Sequence, residues 1–218
     1  MAGPLVSVIT CVRNGETYLQ EALDSIAYQN VPDLESIIVD DGSTDGTVAL
    51  AAAHRLKPRI ISQDPLGFGA ALNNGMRNAR GTYLSFLDCD DIWPPGRLAA
   101  MIAPLESDPS IDAVHGPVVN TDATLKPISP PVSAKLFGAM VMRRELALAV
   151  GDARTDVMNA VTFDWVSRAS QAGWRFHSLT EVVLLRRIHG DNLGIRDRDQ
   201  GRDDLLRIVR DHIKRRRQ

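Results

Sequence analysis

Four short apolar runs, each followed by a helical pattern, constrain this chain more than any other feature. Residues 5–10 (LVSVIT), 35–39 (ESIIV), 59–63 (RIISQ) and 82–87 (TYLSFL) are rich in β-branched or aromatic side chains and end near polar or Gly-containing turns, as strands do. Between the first two, Leu19, Ala22, Leu23, Ile26 and Ala27 recur at helical spacing and line one face. Thr44 to Leu56 and Gly69 to Ala79 supply the next two helices, with Thr44 the expected N-cap because its hydroxyl can accept a free first-turn N–H. The strands lack strict period-two alternation, so both of their faces must be covered. Repetition of this kind predicts an α/β domain with a mostly parallel central sheet and helices on both faces.

The second half is less regular. Leu98, Met101, Ile102 and Leu105 mark a helix after Pro94-Pro95, 111–120 reads as a strand, and the Pro-rich run 127–131 as an exposed loop. A strand is expected at 137–142, a short helix at 143–150, a helix near 159–172, a strand near 182–187 and an amphipathic helix over 202–217. No repeat or long linker divides the 218 residues, so one domain is expected.

Composition removes several classes of function. No apolar stretch approaches the ~18 residues of a membrane span. The N-terminus runs straight into the first strand without the features of an export signal. Two cysteines, Cys11 and Cys89, cannot form a disulfide framework or close a zinc site, and a cytoplasmic location is expected. From Arg186 onward there are eleven Lys/Arg against six Asp, so a segment of net +5 follows a body of −7. An acidic body argues against a nucleic-acid partner. Gly67-Phe68-Gly69 lacks the third glycine of a dinucleotide fingerprint and follows the third strand, and no G-x-x-x-x-G-K-[ST] loop is present.

What remains is acid at strand ends. Asp40-Asp41-Gly42-Ser43-Thr44-Asp45 follows the second strand and Asp88-Cys89-Asp90-Asp91 the fourth. Ligands of open parallel sheets bind outside the carboxyl ends of the strands, so both runs should meet at one edge. Crowded carboxylates repel unless a cation or hydrogen-bond donors offset them, and hard oxygen ligands point to Mg²⁺ or Mn²⁺. Each run also has a plain reading, the first as a turn leading into a helix cap and the second as a loop.

These residues carry a resemblance. Ser7-Val8-Ile9 with Asn14, Tyr18-Leu19, Ala22-Leu23, Ser25-Ile26 and Gln29 is similar to the opening of family 2 glycosyltransferases of the GT-A fold. Val39 to Asp45 resembles that family's nucleotide-binding turn. Gly81 to Asp91, extended by Trp93, Pro95 and Leu98, resembles its metal-binding DxD segment. Arg187-Ile188-His189-Gly190-Asp191-Asn192 resembles its R-x-H-x-x-N element. The resemblance implies a GT-A-like domain over 1–200, with a nucleotide-sugar half (about 1–100) and an acceptor half (about 101–200), followed by a basic helix at 201–218. It implies a nucleoside diphosphate sugar donor contacted by Thr10, Val12, Arg13, Asn14, Asp40, Asp41, Asn73, Asp88 and Arg187. Asp90 and His189 would hold Mn²⁺ or Mg²⁺. His189 without its Arg187 and Asn192 neighbours would be an ordinary loop histidine.

On the acceptor side the match thins. Inverting transfer needs a base on the face opposite the leaving group, and Val161 and Thr162 stand where the family usually carries an acidic pair. Asp164 is the nearest carboxylate and the expected base, with Asp156, another acid, a structural role or lost activity as alternatives. Leu72 precedes Asn73 where many members have Arg. Trp165 and Trp174 could stack on a sugar or pack in the core. The acceptor is a glycan, lipid-linked molecule, peptide or small molecule, bound by 125–165 with a homodimer partner as a further contributor. The competing functions are a catalytically silent nucleotide-sugar or partner-binding module and a nucleotidyltransferase; Thr10 to Gly15 lacks the Gly-rich basic loop the latter needs. The tail, ending Lys214-Arg215-Arg216-Arg217, either covers the domain or contacts an acidic protein or the inner face of an anionic membrane.

Overall fold

The computed structural model describes residues 3–157, 160–190, 192 and 198–215. Strands and helices alternate through the first half: β1 (Val6–Val12), α1 (Leu19–Ala27), β2 (Leu34–Asp40), α2 (Thr47–Ala53), β3 (Arg59–Ser62), α3 (Phe68–Asn78), β4 (Tyr83–Phe86) and α4 (Arg97–Ser107). The second half comprises β5 (Ala113–Thr121), β6 (Val132–Ala134), β7 (Met140–Arg143), α5 (Arg144–Val150), α6 (Val161–Gln171), β8 (Phe176–Ser178), β9 (Leu184–Arg187) and α7 (Arg198–Arg215).

One mixed, mostly parallel sheet runs β3-β2-β1-β4-β7-β5-β6, with β8 and β9 also paired to β5. The first four strands are parallel, while β7 inserts antiparallel between β4 and β5. Both faces of the sheet are buried, as the missing period-two pattern requires. Val6, Val8, Val12 and Ile38 pack with Leu19, Leu23 and Ile26 of α1 on one side. Ile9, Ile37 and Val39 pack with Ala71, Leu72 and Met76 of α3 on the other. Gly75 permits that second contact, because a Cβ there would lie 2.5 Å from Ile9 Cγ2. This is the α/β domain with helices on both faces that the sequence predicts.

Two expectations are corrected. Phe137–Ala139, expected within a strand, forms a 3-10 turn, and the strand starts at Met140. Buried Arg97 fixes that turn: its guanidinium stacks on Trp93 at 3.9 Å and donates to Ser85 Oγ (2.7 Å), Gly138 O (3.1 Å) and Met140 O (3.2 Å). Thr44 is not an N-cap; its N–H donates to Asn14 Oδ1 (2.8 Å), and Asp45 Oδ1 accepts the Thr47 N–H (3.0 Å) where α2 begins. The three-residue strands β6 and β8 were too short to show a pattern. At the tail, the helix spans Arg198–Arg215, and Arg216 and Arg217 lie outside the described residues.

Register places the functional edge. Val12 pairs with Asp40, so β1 and β2 end together, and β4 ends opposite Ile9, which sends the chain after Phe86 out at the same edge. β5 and β9 run in the same direction, paired Thr121 to Arg187, and an Ile92–Leu185 bridge joins β9 to the loop after β4.

Candidate active site

The loops leaving β1 and β2 are tied together. Asn14, in the left-handed region at φ 54°, donates its N–H to Ser43 Oγ (2.9 Å) and accepts the Thr44 N–H. Gly15 N–H donates to Thr47 Oγ1 (2.8 Å), and Gly46 N–H to Glu16 Oε2 (2.9 Å). Asp40, buried at the end of β2, accepts the Ser43 N–H (3.1 Å) and shapes the turn. Asp41 reaches the next loop. Its carboxylate accepts Gln63 Nε2 (2.8 Å), Leu66 N–H and Gly67 N–H (2.9 Å each). Gly67 presents that N–H from φ +90°, a conformation that side chains resist. Cys11 lies between Asp41 and Asp88: burial first, then the charges of Asp88 and Asp41, push its thiol pKa up.

The second cluster joins β4 to β9. Asp90 Oδ2 meets His189 Nε2 at 2.9 Å and accepts Asn192 Nδ2 at 2.9 Å, while Asn192 Oδ1 accepts the His189 N–H (2.6 Å). Buried Asp91 accepts the Arg187 N–H (2.8 Å). The buried Arg187 guanidinium donates to Asp90 O (2.9 Å) and Ala123 O (2.7 Å), pairs with Glu21, and stacks over Tyr18 at 4.4 Å. Asp88 is exposed at the open edge; partial loss of hydration, then the charge of Asp90, push its pKa up, while Arg186 pulls it back. Burial and the same two acids raise Asp91 well above the usual carboxylate range.

Other expected site residues lie elsewhere or present only backbone. The Val12 side chain is in the core, and its carbonyl accepts the Asp41 N–H (2.8 Å). Thr10 is fully buried in β1, and Arg13 is exposed beside Asn14. Asn73 is buried and makes a two-point amide pair with Ala153, accepting its N–H (2.7 Å) and donating to its carbonyl (2.9 Å). Asp164 is 0% exposed, and its Oδ2 accepts Arg168 Nε at 2.9 Å. Arg168 also donates to Val150 O (2.7 Å) and Asp152 O (2.8 Å). In this structure the residue expected as base therefore has no exposed surface and is held in an internal ion pair. Trp165 is also in the core, edge-on to Trp174 with centroids 5.4 Å apart.

Sequence reading missed the supporting roles of Glu21, Gln63 and Ala123, although Glu21 directly precedes the matched Ala22-Leu23. Only the Tyr18 match hinted that α1 faces β9.

The donor set was tested for a metal. Among the described residues, no group of three or more His, Cys, Asp or Glu side chains is arranged to hold a metal ion. A hard dication in phosphate chemistry takes only one or two protein ligands and receives the rest from substrate phosphates and water. Asp90 and His189, touching at 2.9 Å beside the charge-crowded Asp88, fit that smaller requirement.

A family model described as glycosyl transferase family 2 matches residues 7–147. Chondroitin synthase of Escherichia coli is 29% identical over 97% of this chain and 33% of its own length. This chain therefore spans about a third of that relative. Among solved structures, the Pyrobaculum calidifontis mannosyltransferase PcManGT, in complex with GDP-Man and Mn²⁺, superposes with a TM-score of 0.76 at 23% identity, covering 97% of this chain and 65% of that one. S. aureus TarS 1-349 in complex with UDP-GlcNAc gives 0.73 at 20% identity, covering 86% and 60%. At these identities the structural likenesses establish the fold.

Proposed function

The chain belongs to glycosyl transferase family 2, and from that membership we propose that it transfers a sugar from a nucleoside diphosphate sugar to an acceptor nucleophile. The observation that carries the reading is convergence: β1 lies between β2 and β4, so the acidic segments that follow those two strands leave the sheet on either side of the β1 end, and His189 after β9 meets Asp90 at 2.9 Å. The nucleoside would lie against the β1 end, Thr10 to Asn14, and the Asp40–Asp41 turn. Asp41 acts there by holding the 63–67 loop in place.

Asp90 and His189, with Asp88 beside them, would hold Mn²⁺ or Mg²⁺. The ion would act as a Lewis acid that neutralises charge on the departing diphosphate. Arg187 is a positioning residue, fixing the Asp90 backbone and the Asp91 carboxylate from behind. Asp164 holds Arg168 against the end of α5. Inversion at the anomeric carbon is part of the proposal by family membership, and a glycan is the favoured acceptor by the likeness to a polysaccharide synthase.

A second reading, donor binding without transfer, draws on the buried Asp164 and on Val161 and Thr162 at the usual acidic positions. A thermal-shift screen of nucleoside diphosphate sugars, including UDP-GlcNAc and GDP-mannose, with and without Mn²⁺, tests the common premise. At least one donor should raise the midpoint only with metal, and Asp90→Ala should abolish the rise. No metal-dependent shift with any donor would sink both readings. A shift without donor hydrolysis or transfer to a broad acceptor panel would select the second.

A further inference from the structure

We propose that the outer face of α7 is a docking surface for an anionic lipid bilayer. The inner face of this helix is already occupied. Ile208 is 0% exposed in the second core, Asp204 is buried, and Asp211 Oδ2 accepts Arg154 Nη1 at 2.8 Å. These residues recur at i, i+4 and i+7 and define the domain-facing side.

The other side is apolar. Leu205, Leu206 and Val209 are 42%, 62% and 42% exposed. Helical spacing puts them together, with exposed Arg210 next in sequence. The sequence continues with Ile213, four residues beyond Val209, and Lys214-Arg215-Arg216-Arg217.

Charge is sorted across the helix. Residues 202–217 hold seven Lys/Arg and three Asp. Two of those acids, Asp204 and Asp211, are turned toward the domain, which leaves Asp203 as the exposed acid. Among the described side chains Arg207 and Arg210 are the exposed cations of the helix beside Asp203, and Arg207 also pairs with Asp156 at 3.3 Å.

An apolar stripe flanked by cations is the pattern of a helix lying in a membrane interface, with the apolar residues entering the acyl boundary and the cations meeting phosphate headgroups. An acidic protein surface would satisfy the arginines and leave the leucines without an apolar phase; a bilayer satisfies both. Among the described residues no helix is long and apolar enough to cross a membrane, so the contact is peripheral. This inference does not depend on the transfer reaction.

The test uses the full chain and co-sedimentation with vesicles of phosphatidylcholine alone or mixed with phosphatidylglycerol. The chain should sediment with the mixed vesicles, less so as NaCl screens the charges, and bind neutral ones weakly. Leu206→Glu and Val209→Glu should each weaken binding at least about tenfold, and Arg210→Glu should lower binding to the anionic vesicles. Both apolar positions are exposed, and unchanged circular-dichroism melting would show the variants folded. No sedimentation, or equal sedimentation by Leu206→Glu, overturns the proposal, and equal binding to neutral vesicles overturns its electrostatic half. If vesicles bind nothing while analytical ultracentrifugation shows a dimer that Leu206→Glu splits, the face belongs to a second copy of the chain and the lipid proposal fails.

Discussion

Two carboxylates in this protein hold a basic side chain at the same 2.9 Å, Asp90 with His189 and Asp164 with Arg168. Their surroundings separate them. Asp90 and His189 retain 20% and 13% of their side-chain surface, beside Asp88 and Asp91, whose proton affinities are raised by lost hydration and then by like charge. Asp164 retains none, and backbone carbonyls complete the coordination of Arg168. The first pair keeps solvent access among an excess of acids that Arg186 offsets only in part, the condition for binding a cation or a charged ligand. The second is internally neutral and closed. A carboxylate–base pair is thus informative about function only with the charge balance around it.

The largest effect that could break this contrast is on folding. Asp164→Ala leaves the Arg168 guanidinium without its counter-charge, and urea unfolding should show a loss of about 3 kcal/mol, the low end for a broken buried pair because Arg168 keeps a solvent edge. A variant of wild-type stability that had lost sugar transfer would make Asp164 functional and erase the distinction. Asp90→Ala should do the reverse. It should cost at least about a hundredfold in donor turnover, about 2.7 kcal/mol, and change apo stability by under ~1 kcal/mol because it also relieves repulsion with Asp88 and Asp91. Gly69→Ala probes the link between the two regions: its Cβ would lie 2.1 Å from Arg154 O, against the segment that Arg168 and Asn73 hold. Overpacking against backbone should cost roughly 1–3 kcal/mol, measurable by the same denaturation.

The contrast also explains what could be read from the sequence. The parallel half was legible because each of its strands is buried on both faces and each crossover helix carries its own periodicity; Ile9, Ile38 and Leu23 announce their partners. Asp88 and Asp90 were legible because strand ends of a parallel sheet share one edge. The burial of Asp164 was not legible, because reading its distance along the chain from the expected acidic pair gave no weight to the fact that it faces inward with Trp165 and Ala169. The partners of Arg187 come from Glu21, Asp90 and Ala123, separations that local pattern cannot bridge. The turn at Phe137–Ala139 depends on Arg97 some forty positions earlier, and read locally its residues look like strand.

A third pair, Arg154 with Asp156, is more exposed than either and sharpens the comparison by the smallest effect. Its partners are 17% and 52% exposed; Arg154 also pairs with Asp211 and Asp156 with Arg207, so charge around them is offset. The hydrogen bond from Arg154, and then its charge, pull the Asp156 pKa down to about 2 against opposition from burial. The folded protein therefore binds that proton less readily than the unfolded chain. The pair adds stability above about pH 4, and that contribution is lost as pH falls toward 2. Because Asp156 is half exposed, solvent screening keeps the contribution under ~1 kcal/mol. Asp156→Asn should lower stability at pH 7 by that amount, and the deficit should close as both proteins are titrated toward pH 2. A deficit independent of pH would mean that Asp156 acts through packing of the 152–157 segment, and that exposure and charge balance do not suffice to rank the ion pairs of this fold.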